Sequence, residues 1–91
     1  MAPPEEWGPP AWYFIFAIID DMPDYPVNTE YYQMFFDSLR GVLPCEECRI
    51  HYSHWIEMYP PPVWSKSAMR DWATSLRLAI RKRKNKKWWQ V

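Results

Sequence analysis

Residues 28–62 read NTEYYQMFFDSLRGVLPCEECRIHYSHWIEMYPPP. Tyr32, Phe35, Phe36, Leu39, Val42 and Leu43 recur at the three- and four-residue spacing of one buried helical face. Asn28 is a good N-cap for that helix, and Gly41 with Pro44 is expected to end it. A further helix follows from about Cys45 to Met58, with Cys48, Tyr52, Trp55, Ile56 and Tyr59 on one side, and Pro60-Pro61-Pro62 stops it. Two helices meeting at a proline-led cysteine pair set the frame for the rest.

Outward from this stretch the helical period continues. On the N-terminal side a helix is expected from Pro10 to about Asp20, with Pro10 tolerated in the first turn. Its middle is apolar nearly all round (Trp12, Tyr13, Phe14, Ile15, Phe16, Ile18, Ile19), which predicts a central helix or one covered by a partner. Asp20 to Val27 make a Pro/Asp loop. On the C-terminal side a helix opens near Ser65 or Ser67 and buries Met69, Trp72, Leu76, Ala79 and Ile80. Trp88 and Trp89 follow a basic run and predict a short extra turn covering a surface. The fold expected is all-α, a compact four-helix bundle with short links, and 91 residues leave room for a single domain, 1–91.

Composition narrows the function. Formal charge is zero, and 48% of residues are hydrophobic and 19% aromatic, which excludes a uniformly basic nucleic-acid binder and a disordered tail. The neutral total is divided: residues 1–48 carry −8 and residues 49–91 carry +8. Seven bases lie between Arg77 and Lys87 with no acid among them, an anion-binding candidate. The longest apolar run, Ala11 to Ile19, is nine residues, against roughly 20 for a membrane helix. No secretion signal is visible, since Met1 leads into Pro3, Pro4, Glu5 and Glu6.

The two cysteines carry the chemistry. A disulfide between Cys45 and Cys48 closes a four-residue loop, worth roughly 2 kcal/mol by chain entropy, against about 4.7 for a 100-residue loop. The spacing therefore suits redox or metal chemistry better than stapling. Cys45 sits after Pro44 at the helix start, where the dipole favours thiolate, and is expected to be the exposed, exchanging sulfur. Cys48, one turn on, is expected to face the bundle. Zinc competes, because His51 and His54 continue the spacing. Nine residues of helix rise about 13.5 Å, however, and four ligands at about 2 Å from one ion cannot span that distance. A basic, aromatic nucleic-acid module using Arg81 to Lys87 with Trp88 and Trp89 is the other alternative. No convincing strand pattern offers a thioredoxin setting. A flavin is the natural electron acceptor for a helical dithiol, since it takes an electron pair and passes it to oxygen.

Three segments together resemble the Erv/ALR family of FAD-linked sulfhydryl oxidases. Trp7-Gly8-Pro9-Pro10-Ala11-Trp12 is similar to the family's W-G-x-x-x-W opening. Leu43-Pro44-Cys45-Glu46-Glu47-Cys48-Arg49-Ile50-His51 contains its P-C-x-x-C-x-x-H segment. Trp72 followed by Arg77 to Arg81 falls where the flavin-binding helix falls. The resemblance implies a helical bundle holding FAD at one end, beside the cysteines, and disulfide formation coupled to reduction of oxygen to hydrogen peroxide. It implies that Cys48 is the flavin-proximal sulfur and Cys45 the one facing substrate. It also implies that Gly8, Trp12, Phe16, His51, Arg77, Ile80 and Arg81 line the cofactor, with Lys84, Lys87 and Trp88 nearby, and that no metal is used.

Two departures stand out. Phe16 replaces a histidine of many cellular members, and Arg77-Leu78-Ala79-Ile80-Arg81 replaces their H-N-x-x-N. Both remove hydrogen-bonding groups from the adenosine side, while Arg77 and Arg81 remain able to hold a diphosphate. In these places the chain resembles the small oxidases of large cytoplasmic DNA viruses, of poxvirus, asfarvirus or iridovirus type. The resemblance implies a dithiol protein substrate (thioredoxin-like or a viral structural protein), a homodimer, and action in the cytoplasm of an infected host cell with packaging in the virion. It leaves membrane and nucleic acid without a role.

Overall fold

A computed structural model describes residues 3–82. Four helices follow in order: α1 (Pro4–Asp20), α2 (Thr29–Val42), α3 (Glu46–Met58) and α4 (Lys66–Lys82). Among the described residues there is no strand. α1 packs along α4 and α2 along α3. The four-helix bundle expected from periodicity is the fold observed. The extra C-terminal turn, with Lys84, Lys87 and Trp88, lies outside the described residues.

α1 begins six residues earlier than expected, at Pro4, and runs through Pro9 and Pro10. Both prolines lie inside the helix, in its second turn, where each gives up an i→i−4 backbone bond, while Glu5 and Glu6 complement the first turn's positive end. The longer helix brings Trp7 against the core and buries Gly8. Of the two alternatives its apolar circumference offered, α1 is not the central helix of the bundle. Trp12 and Ile19 are buried, whereas Tyr13 and Phe14 are 82% and 59% exposed.

α2 also departs in detail from its expected caps. Asn28 takes the N-cap position in a left-handed conformation (φ 56°) with no side-chain cap bond. Asparagine tolerates that backbone, and its carbonyl accepts the N–H groups of Tyr31 and Tyr32. Gly41 does not stop the helix, which continues to Val42. Val42 is exposed rather than buried. Before α4, Ser65 is the capping serine, its Oγ accepting the N–H of Ala68 at 3.2 Å. α4 buries Ala73 completely, a position not foreseen, and leaves Ala79 half-buried.

The core ties the two helix pairs together. Phe36 of α2 meets the Trp72 ring of α4 edge-on, with centroids 5.6 Å apart. The Tyr52 hydroxyl of α3 donates to the Phe36 carbonyl at 2.5 Å. The α3–α4 link is held firmly. Pro61 is fully buried, and the Trp72 indole N–H donates to the Tyr59 carbonyl at 2.6 Å. α3, which carries the cysteines, is thereby fixed against α4, which carries the arginines. Among the described residues no helix is long and apolar enough to cross a membrane.

Candidate functional site: a buried dithiol beside a cationic groove

Pro44 keeps α2 from running on, and α3 starts afresh with Cys45 as its N-cap. The Cys45 Sγ accepts the backbone N–H of Cys48 at 3.2 Å, the bond a serine would make in that position. Arg49, one residue on, donates to the Leu43 carbonyl at 2.6 Å and pins the segment before the cysteines. Both cysteines are free thiols. Cys45 is half-buried, while Cys48 is buried at 1% exposure. Sequence reasoning placed Cys45 in the first turn; it is instead the capping residue, one position earlier.

Burial pushes the Cys48 thiol well above its ordinary value of 9.0, and the Cys45 side-chain hydrogen bond and charges on Cys45 and Glu47 push it the same way. The reduced inner sulfur therefore holds its proton at neutral pH. A thiolate there requires a base, and His51, one turn on, lines the same cavity.

That cavity is apolar and small, about 30 Å³, and is walled by Trp12, Ile15, Leu39, Leu43, Tyr52, Leu76 and Ile80 together with Cys48 and His51. Four of the residues expected to line a flavin (Trp12, His51, Ile80 and Cys48) thus meet at one point. Leu39 and Leu43, which sequence reasoning treated only as core, complete the wall. The space admits a water-sized molecule, so a tricyclic ring requires the half-buried rim of Ile15, Leu39, Leu43 and His51 to part.

Outside the cavity, α1 and α4 form a groove of about 530 Å³ that reaches Trp12, Phe16, Arg70 and Arg77. A neighbouring hollow of about 250 Å³ adds Thr74, Leu78 and Arg81. The Arg77 guanidinium lies 6.0 Å from the Trp12 ring centre, and its buried Nε has no hydrogen-bond partner among the described residues. An unpaired buried donor beside an aromatic wall fits an anionic, ring-bearing group such as a flavin dinucleotide. Gly8 is buried on α1, four residues before Trp12.

Arg70 was missed in the sequence. Its signal was its place two turns before Arg77 on the same face of α4. The zinc alternative finds no support. Among the described residues no group of three or more His, Cys, Asp or Glu is placed to hold a metal ion. The basic run behind the nucleic-acid alternative lies largely outside the described residues.

These features define a class: a four-helix bundle that buries one sulfur of a vicinal dithiol against the end of a cationic, aromatic groove. The chain belongs to the Erv1 / Alr family, whose sequence profile matches residues 9–90. A protein of Acanthamoeba polyphaga mimivirus, named a probable FAD-linked sulfhydryl oxidase, is 41% identical over 59 residues. That stretch is 63% of this chain and 41% of the relative, so the chain spans about two fifths of the length of the curated relative it matches. No solved structure matches the chain.

Proposed function

We propose that the chain is a FAD-dependent sulfhydryl oxidase that forms disulfides in partner proteins at the expense of oxygen. One observation carries this reading: Cys48 is buried on the wall of an apolar cavity that also holds Trp12, His51 and Ile80, beside the Arg77 groove. Family membership and the mimivirus relative support it.

The chain's own residues divide the work. In the oxidised protein a substrate thiolate attacks Sγ of Cys45, the more accessible sulfur, at the positive end of α3. The Cys45–Cys48 bond breaks and Cys48 leaves as thiolate. A second substrate thiol then attacks the mixed disulfide, giving the substrate disulfide and a Cys45 thiolate. His51 is the base that shares the Cys48 cavity and accepts or returns its proton. Trp12, Leu76 and Ile80 exclude water from the inner sulfur. Gly8, Phe16, Arg77 and Arg81 are assigned to the cofactor's path, with Arg77 and Arg81 on its diphosphate. Bound FAD supplies beside Cys48 an acceptor for one electron pair, delivered finally to dioxygen as hydrogen peroxide.

We place the reaction on a dithiol protein, thioredoxin-like or a viral structural protein, in the cytoplasm of an infected host cell and its virions. The viral relative supports that setting. A homodimer is proposed through the exposed aromatic side chains of α1 and α2, among them Tyr13, Phe14 and Tyr31; sedimentation as a monomer at micromolar concentration argues against it.

The visible absorption spectrum tests the central reading. The purified protein is expected to be yellow, to release flavin on denaturation, and to consume oxygen when given a dithiol. A colourless protein that takes up no FAD when refolded with it overturns the proposal.

A further inference from the structure

The outer sulfur stands at a joint between two helices. Leu43 is the C-cap of α2 and Cys45 the N-cap of α3, with only Pro44 between them. The Leu43 carbonyl is one of the groups that a helix end leaves without an intrahelical donor. It accepts two donors from beyond the helix. One is the Cys45 N–H at 2.8 Å, across a three-residue turn closed over Pro44. The other is the guanidinium of half-buried Arg49 at 2.6 Å. The first bond is bent by the tightness of its turn. The second is charge-assisted, and it sets a cation at the negative end of α2. Arg49 also reaches Cys45 through the backbone, its N–H donating to the Cys45 carbonyl at 3.0 Å. With the Cys48 N–H on Sγ at 3.2 Å, the N–H, the carbonyl and the sulfur of Cys45 are each held.

We infer that Arg49 is a positioning residue for Cys45: by clamping the Leu43 carbonyl it keeps the outer sulfur beside the inner one, and so sets how readily the Cys45–Cys48 disulfide closes. The inference rests on the oxidase reading and deepens it, adding a residue that acts through the backbone of the α2–α3 joint. The two cysteines are held by different means. Cys48 lies in the first turn of α3 and is buried, so the helix fixes it. Cys45 is the half-buried cap, and its position follows the joint. A disulfide demands Cβ atoms about 3.5–4.5 Å apart. A loose joint gives the open dithiol many arrangements that miss this distance, and closure must then remove that freedom. A clamped joint has removed it already. Arg49 therefore favours the closed form by restricting the open one. Arg40 provides the contrast, since its ion pairs run to Glu57 and Asp37 rather than to the joint.

The test is the equilibrium of the cysteine pair with glutathione, measured without oxygen on the full chain. One oxidised glutathione gives up its S–S bond, the Cys45–Cys48 bond forms, and two reduced glutathione molecules leave. Alkylation of the remaining thiols, counted by mass, gives the equilibrium constant. Arg49→Met keeps much of the side-chain stem and loses the donor. It is expected to lower the constant for closure about tenfold, or about 30 mV for a two-electron couple. Arg49→Lys restores a charged donor and is expected to return to within about threefold of the wild type. Arg40→Met is expected to stay within about twofold, because an exposed ion pair elsewhere contributes little. Helical circular dichroism and the melting temperature check that each variant folds. A merely structural Arg49 lowers the melting temperature and leaves the constant where it is. A constant unmoved or raised in Arg49→Met, one that lysine does not bring back, or an equal fall in Arg40→Met overturns the inference while leaving the oxidase reading intact. A wild-type pair that never closes in oxidised glutathione removes the oxidase reading, and this one with it.

Discussion

The Sγ of Cys45 accepts the backbone N–H of Cys48 at 3.2 Å, so the outer sulfur caps the helix whose first turn carries the inner one. One atom thereby serves both exchange chemistry and helix geometry. The two roles can be separated by substitution. Cys45→Ser keeps a capping oxygen and is expected to match the reduced wild type in stability while abolishing turnover. Cys45→Ala is expected to abolish turnover and also lose about 0.5 kcal/mol, the low end for a lost cap because sulfur is a weak acceptor. Urea denaturation under reducing conditions measures the difference, and a serine variant as unstable as the alanine one contradicts the capping role.

Cys48 links the buried thiol to pH. Its folded-state pKa is raised above the unfolded value, first by burial. The stabilising contribution is therefore complete below the unfolded pKa and is lost as pH rises through the interval up to the folded one. The reduced protein is expected to lose up to about 1.4 kcal/mol per pH unit above pH ~9. Tyr52, raised by burial from 10.0, adds a second decline starting about one unit higher. Urea midpoints at pH 8 and pH 10 report the slope, which Cys48→Ala should flatten; an unchanged slope in that variant contradicts the assignment.

Tyr52 joins α3 to α2 through its hydroxyl at the Phe36 carbonyl. Tyr52→Phe keeps the ring and removes the bond. The expected cost is about 1–2 kcal/mol, typical of a buried hydrogen bond lost from one side. A chemical denaturation curve with unchanged slope and lower midpoint is the expected outcome.

Gly41 sits in the last turn of α2, and a Cβ placed there meets nothing within 4 Å. Its φ is not positive. Gly41→Ala is therefore expected to raise stability by about 0.5–1 kcal/mol through reduced freedom of the unfolded chain and better helix propensity. A fall in melting temperature contradicts this.

Cys48 acts as an inner sulfur as well as a titrating group. Cys48→Ser is expected to stop oxygen consumption with a dithiol substrate while leaving flavin bound, since only the sulfur is lost from the cavity wall. Retained turnover assigns the inner role to Cys45 instead.

Much of this was legible in the residue pattern. The 3–4 spacing of Phe36, Leu39, Tyr52, Ile56, Trp72 and Leu76 marked α2, α3 and α4 and most of their core, and the reading of the cysteine pair foresaw which sulfur is buried. What failed to show in sequence has physical causes. The early start of α1 was hidden because the Pro9-Pro10 pair reads as a helix start, whereas the helix carries both prolines in its second turn. The exposure of Tyr13 and Phe14 was hidden because a helix apolar all round does not say which stripe packs. Leu39 and Leu43 were read as filling when they also wall the Cys48 cavity. Arg70 was passed over because its meaning depends on Phe16, 54 positions away in the chain.

The groove is assembled from α1 and α4, the first and last of the four helices to leave the ribosome. Neither wall can close on the other until translation has passed both, so no nascent fragment ending before α4 presents the site. On the oxidase reading, flavin loading follows synthesis of the domain, because the two walls of the groove come from opposite ends of the described chain.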